Sequence, residues 1–265
     1  MRGRNPPQYP SKPSHDTGME VGLNRDRLPG GAPPFDPLQE EYFAQQRQAM
    51  VQQQLVYRGI SNPQVLKAMA RVPRHRFVPP QVSHWAYRDT PLEIGYGQTI
   101  SQPYIVAYMT EQAAIPDQGS VLEIGTGSGY QAAVLSRLCR RVYSVEIIAP
   151  LAQKSQATLQ QLGYDNVYVK HGNGYQGWGD HAPYDAILLT AAPPRLPSSL
   201  VEQLAMGGRL VAPVGDTYQS LQVITKTPHG LAVQSMLPVR FVAMVGETRL
   251  PTAHNIGADE RNPDN

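Results

Sequence analysis

The sequence predicts an α/β fold: a mostly parallel sheet with antiparallel strands at its C-terminal end, preceded by a helical region. Three observations predict it. From Gly119 onward, β-branched apolar runs alternate with helical stretches, the pattern of a βαβ succession. One of those runs, Tyr184–Ala191, is nearly all apolar, as a central parallel strand buried on both faces must be. Finally, Leu221–Thr227 and Leu231–Arg240 are joined only through Pro228-His229-Gly230, which makes them a hairpin.

Taken in order, residues 1–40 hold 8 Pro and 5 Gly, with 5 basic and 5 acidic residues and only 8 large apolar ones. Such a segment buries too little surface to offset its ordering entropy and reads as a disordered Pro/Gly-rich tail. Residues 41–118 read as a helical and loop region covering the active site. A helix over about 38–58, rich in Gln, Glu, Ala and Met, stops at Gly59, and Asn62-Pro63 reads as N-cap and first residue of a short helix through Ala70. Arg71–Gln102, with four prolines and two glycines, is expected to be mainly loop. Pro103 opens a helix to about Ala114 with Ile105, Val106 and Met109 on one face.

The main domain is expected over 119–250, with a polar tail at 251–265. Its strands are Ser120–Ile124, Arg141–Ile147, Asn166–His171, Tyr184–Ala191, Arg209–Val214 and the two of the hairpin. Helices are expected at Gln131–Arg141, Leu151–Leu162 and Ser198–Met206, the last stopping at Gly207-Gly208.

Composition narrows the function. Twenty-three Lys and Arg against 21 Asp and Glu give +2, which argues against an overall electrostatic nucleic-acid binder. The single cysteine, Cys139, permits no intrachain disulfide and no thiolate zinc site, and no metal constellation is found. No apolar run is long enough for a membrane span, and the positive Met1–Pro7 leads into no apolar core. A cytoplasmic protein that engages neither nucleic acid nor membrane is expected.

The sharpest motif is Val121-Leu122-Glu123-Ile124-Gly125-Thr126-Gly127-Ser128-Gly129-Tyr130. A buried strand enters a glycine turn and a helix leaves it, so that backbone can approach a ligand and helix N-terminal amides can face it. The third glycine falls one position early for the dinucleotide fingerprint, which argues against a nicotinamide or flavin enzyme. Glu146 ends the next strand about twenty residues on, where an acid can accept from both ribose hydroxyls of a nucleoside. Glu123, inside an apolar strand, is a buried carboxylate in need of donors.

Glu123–Tyr130 resembles the first motif of S-adenosylmethionine-dependent methyltransferases. The likeness narrows with Gly97-Gln98-Thr99-Ile100-Ser101-Gln102-Pro103, Arg71–Pro79, His171–Trp178, Tyr184–Ile187 and Leu204–Leu210, which are similar to the protein-L-isoaspartate (D-aspartate) O-methyltransferase family. The resemblance covers about residues 45–247.

It implies a Rossmann-like methyltransferase fold and an enzyme that methylates the free α-carboxylate of L-isoaspartyl residues in damaged proteins and peptides. S-adenosylmethionine is the implied methyl donor, and the ester then passes through a succinimide to aspartate. Ser101 matches the family's active-site serine. Gln98, Glu123, Gly125, Thr126, Gly127, Gly129, Glu146, Asn173 and Gly174 are the implied cofactor-binding set, and a monomer is expected. Gly95–Gln98 is expected to form a mobile lip over cofactor and peptide.

Two departures from the family pattern stand out. Asn173 replaces the usual Asp, and Ala243 and Val245 stand where Pro and Thr are common. Asn173-Gly174 is also a pair that deamidates readily in a flexible loop, so ageing is expected to convert some Asn173. The rival readings are an RNA methyltransferase on the same fold and a scaffold that binds cofactor or peptide without turnover. His75, His84, His171 and His181 lack metal spacing and read as surface or loop residues. Arg71, Arg74 and Arg76 face acidic substrate or solvent, and Trp85 and Tyr87 line a peptide groove or pack in the core.

Overall fold

The computed structural model describes residues 36–246. The expected tail at 251–265 and most of that at 1–40 lie outside the described residues. Helix α1, Pro37–Met50, starts inside the latter segment: Asp36 caps it, accepting from Gln39 N, and Pro37 takes the first position, where a missing N–H costs nothing. The helix continues through one wide turn, Val51–Leu55, and a tight one, Val56–Arg58, to Gly59 at φ 90°, a stop that suits a residue without Cβ. Helix α2, Pro63–Arg71, begins as expected, with Asn62 Oδ1 accepting from Gln64 N and Val65 N.

The stretch expected to be mainly loop holds a short hairpin, β1 (Leu92–Gly95) and β2 (Gln98–Ile100). Its two-residue turn has positive φ at both Tyr96 and Gly97, the geometry that follows the natural twist of paired strands. Strands this short carry too few residues for a period-2 pattern to emerge. Helix α3, Pro103–Gln112, follows.

Next come β3 (Ser120–Ile124), α4 (Tyr130–Leu135), β4 (Arg141–Glu146), α5 (Ala149–Gln161), β5 (Val167–His171) and β6 (Tyr184–Leu189). The chain closes with α6 (Ser198–Glu202), β7 (Leu204–Val214), β8 (Gln219–Thr227) and β9 (Gly230–Val239). Helix α4 ends sooner than expected, and the carbonyls of Ser136, Cys139 and Arg140 that follow it accept from Asn166 Nδ2 instead. The Gly207-Gly208 pair is a second correction. Rather than stopping a helix it lies inside β7, where the register to β6 shifts, and a Cβ on Gly208 would stand 2.9 Å from the Asp185 carbonyl. The glycines mark a bulge and a close backbone approach.

The seven-stranded sheet runs β5-β4-β3-β6-β7-β8-β9, parallel as far as β7 and antiparallel beyond. Alternate residues feed two cores. Val121, Ala186 and Leu188 face α1 to α5, whereas Leu122, Ile124, Ile187 and Leu189 face α6 and the residues around Tyr175 and Trp178. Phe43, Met69, Val106 and other apolar residues of the N-terminal helices pack into the first of these cores, so that region is held against the sheet by shared burial.

Candidate active site

Strand order reverses direction at β3 and β6, and the crevice beyond the carboxyl ends of such strands is where an open α/β sheet can take a ligand. A cleft, partly open to solvent, lies there. Its floor is Ile124, Gly125 and Gly127; one wall is Val145 to Ile148, and the others are Gly174, Thr190 and Ala191, the Val242–Val245 strip, and Gln98 with Thr99 from the hairpin.

The glycine turn is fixed by its neighbours. Glu146, only 5% exposed, accepts from Gly127 N through Oε2 at 2.7 Å and from Ile148 N through Oε1 at 2.9 Å. One carboxylate thus ties the turn after β3 to the start of α5, and the further lone pairs on its oxygens remain for a ligand. At Gly125, φ is +98° and any Cβ would collide with Thr190 Oγ1, which donates to the carbonyls of Ile124 and Gly125. Gly129 caps α4 at φ 88° and lies against Leu159 and Ser155, so its role is packing of the turn on α5.

Beneath the turn lies a buried polar chain. Glu123 points to the same face as Val121 and is wholly buried, with Ser144 Oγ 2.5 Å from its Oε2 and Thr126 Oγ1 2.6 Å from Ser144 Oγ. Burial, reinforced by the nearby Glu146 charge and opposed by the Ser144 hydrogen bond, pushes the Glu123 carboxyl up to about 8. It is therefore a neutral acid at pH 7.

A second cleft adjoins the first and shares Thr99, Thr190 and Val242 with it. Ser101 lines it. Helix α3 has Gln102 as its N-cap and no side-chain cap, so the Ser101 hydroxyl does not serve as one. The backbone of Ser101 is held from below: Arg74 Nη2 donates to its carbonyl at 2.7 Å, Nε donates to the Ala86 carbonyl at 2.7 Å, and the guanidinium lies 4.8 Å from the centre of the Tyr130 ring. Arg74 is fully buried, and burial lowers its pKa to about 10, which still leaves it cationic at neutral pH.

Of the residues singled out in the sequence, Gln98, Gly125, Gly127, Glu146 and Gly174 line the first cleft and Ser101 the second. Glu123, Thr126, Gly129 and Asn173 do not line either; Asn173 Oδ1 instead accepts from Tyr175 N at 3.0 Å. Thr99 and Thr190 were not anticipated. Thr190 could have been found from its place at the end of the most apolar strand, but Thr99 reaches the cleft only because the hairpin folds over it.

Other expectations are corrected. Arg74 faces neither solvent nor substrate, and Arg76 pairs with Glu40 at 3.0 Å. His75 is buried, stacked 4.2 Å from Phe43 and 2.8 Å from the Tyr87 hydroxyl, and burial pushes its pKa down to about 3. Tyr87 packs in the core, one of its two expected places, and Trp85, 39% exposed, lies under Arg88; neither lines the second cleft. Among the described residues no group of three His, Cys, Asp or Glu is placed to hold a metal ion, and no helix is long and apolar enough to cross a membrane.

Comparison with known proteins agrees with this geometry. The family model described as protein-L-isoaspartate(D-aspartate) O-methyltransferase matches residues 45–249. A Synechococcus protein-L-isoaspartate O-methyltransferase is 56% identical over 230 residues, covering 83% of this chain and 94% of that one. One from Gloeobacter violaceus is 56% identical over 200 residues, 75% of this chain and 98% of its own. Among solved structures, a Plasmodium falciparum protein named for the same activity, in complex with S-adenosyl-L-homocysteine, matches with a TM-score of 0.67 and 26% identity over 75% of this chain and 98% of that one. With the match spanning both clefts and every strand of the sheet, this chain belongs to the protein-L-isoaspartate(D-aspartate) O-methyltransferase family.

Proposed function

We propose that this chain is a repair enzyme that methylates the free α-carboxylate of L-isoaspartyl residues in proteins and peptides, with S-adenosylmethionine as donor. The observation that carries the reading is the family match over 45–249, which takes in two adjoining clefts that share Thr99, Thr190 and Val242. The residues present fit the donor. Ile124, Val145, Ile148 and Met244 offer apolar walls for a purine, Glu146 offers acceptors for ribose hydroxyls, and Gly125 and Gly127 leave the backbone open to close approach.

When bound, S-adenosylmethionine supplies a methyl group already activated by its sulfonium. The acceptor is a carboxylate, ionised near neutral pH and already a nucleophile, so the chain needs no general base. What its residues contribute is placement and exclusion of water, worth roughly 7–11 kcal/mol where alignment is good. Ser101 donates its hydroxyl to the acceptor carboxylate, while Arg74 holds the backbone carbonyl of the same residue and so the position from which the side chain projects. The β1–β2 hairpin, which brings Gln98 and Thr99 to the first cleft, covers the donor, and Thr99 and Thr190 stand where the two clefts meet. We further read the enzyme as a cytoplasmic monomer.

The test is methyl transfer from labelled S-adenosylmethionine to matched peptides containing L-isoaspartate or L-aspartate. Base-labile methylation of the first alone supports the reading. Incorporation into neither, with cofactor binding intact, moves it to a binding role or another acceptor such as RNA.

A further inference from the structure

The second cleft has an uneven charge. Its charged lining residues are both arginines, Arg58 and Arg240, and no Asp or Glu lines it. They come from distant parts of the chain: Arg58 ends the first helical segment, and Arg240 follows the last strand. The rest of the lining is mixed, with Tyr104, Ile105, Leu237, Val239 and Phe241 beside the polar Thr99, Ser101, Gln102 and Thr190. For a chain of net charge +2, this is a local concentration of positive potential in a partly apolar groove.

Arg58 is set in place. Its guanidinium stacks over the Tyr104 ring, 3.5 Å from the centroid, and Nη1 donates to Asp89 Oδ2 at 2.7 Å. Asp89 is in turn oriented through its own backbone, whose carbonyl accepts from Gln102 Nε2 at 3.1 Å. Stacking and pairing fix the side chain before any ligand arrives, which lowers the entropy lost when its remaining N–H groups meet an acceptor. Asp89 offsets part of this charge. Arg240 is exposed and makes no ion pair among the described residues.

We infer that Arg58 and Arg240 are specificity determinants that select isoaspartyl acceptors flanked by acidic side chains, with apolar residues beside them. The inference rests on the isoaspartyl reading of the second cleft and adds to it the class of peptide preferred. A flanking carboxylate can bond to Arg240, or to the N–H groups of Arg58 that Asp89 leaves free, whereas a flanking Lys or Arg meets like charge.

The test uses the full chain and three isoaspartyl peptides of one length, with Glu, Gln or Lys at the positions flanking the isoaspartate. At low ionic strength kcat/KM is expected to fall in the order Glu, Gln, Lys, with about a fivefold step or more between Glu and Gln, and the spread is expected to shrink as salt rises. Arg240→Gln and Arg58→Gln should each reduce the Glu-to-Gln ratio, and Arg58→Lys should retain part of it. Because Arg240 is exposed and makes no ion pair among the described residues, its variant keeps the test open if Arg58→Gln fails to fold. Equal kcat/KM for the three peptides, or a ratio untouched by Arg240→Gln, overturns the inference while leaving the activity standing. Transfer to no isoaspartyl peptide overturns the activity and the inference together.

Discussion

Ser144 Oγ lies 2.5 Å from Glu123 Oε2, and the two residues sit directly opposite each other on β4 and β3. An exposed glutamate could not sustain such a contact in isolation from water; here the carboxyl is wholly buried, and its second oxygen finds no partner among the described residues. The arrangement is that of an acid kept neutral, with Ser144 passing the hydrogen-bond chain on to Thr126 in the glycine turn.

Stability should carry the mark of this group. Burial raises the Glu123 carboxyl from 4.5 to about 8, so the folded state holds a proton that the unfolded state has released between those values. The contribution of Glu123 to stability is therefore complete below about pH 4.5 and declines as pH rises toward about 8. Glu123→Gln mimics the neutral form and should be the more stable of the two proteins above pH 8, with the difference vanishing toward pH 5. Urea midpoints of both proteins across this range check it; parallel curves would show that folding does not raise the pKa of the carboxyl.

Glu146 should matter chiefly to the donor. Glu146→Ala leaves Gly127 N and Ile148 N without their acceptor and removes the proposed ribose contact. A hydrogen bond to a charged acceptor is worth about 1.5–3 kcal/mol, so loss of the ribose contact should weaken S-adenosylhomocysteine binding by tenfold or more, and the two part-buried donors left unpaired should lower stability. Calorimetric titration gives the affinity, and an unchanged value would place the ligand elsewhere.

Ser101→Ala tests the opposite separation. Only the backbone of Ser101 supports the fold, through the Arg74 bond, so unfolding temperature and cofactor affinity should stay within error of the parent. Turnover on an isoaspartyl peptide should drop by about ten- to a hundredfold, the range for removing a hydrogen bond to a charged group. Undiminished turnover would return Ser101 to an ordinary loop role.

Asn173-Gly174 should deamidate more slowly in the folded chain than its sequence alone suggests. The Asn173 amide oxygen is engaged as the cap of Tyr175 N, and Gly174 is packed so closely that a Cβ there would overlap Ile124 Cγ2. Cyclisation requires the side chain to swing back onto Gly174 N, which this packing opposes. Peptide mapping after prolonged incubation should find Asn173 intact in native protein and converted in urea-denatured protein; equal conversion in both would show the loop to be open.

The central β-strands and the principal helices of the parallel domain were legible because local pattern and tertiary role agree there. Tyr184–Leu189 is apolar but for Asp185 because both faces are covered, and Asn62-Pro63 caps a helix by chemistry contained in a few adjacent residues. The glycine turn and Glu146 were legible for the same reason, being a short motif and a strand end at a fixed distance. Tertiary structure alone decided the rest. Gly207-Gly208 carries the same local signal whether it ends a helix or bends a strand, and pairing with β6 settles which. Arg74 and His75 look like surface residues until the N-terminal helices bury them against the sheet, because burial depends on what arrives from elsewhere in the chain. The joining of the two clefts at Thr99, Thr190 and Val242 brings together residues from three separate segments, a proximity that no local preference encodes and that only packing creates.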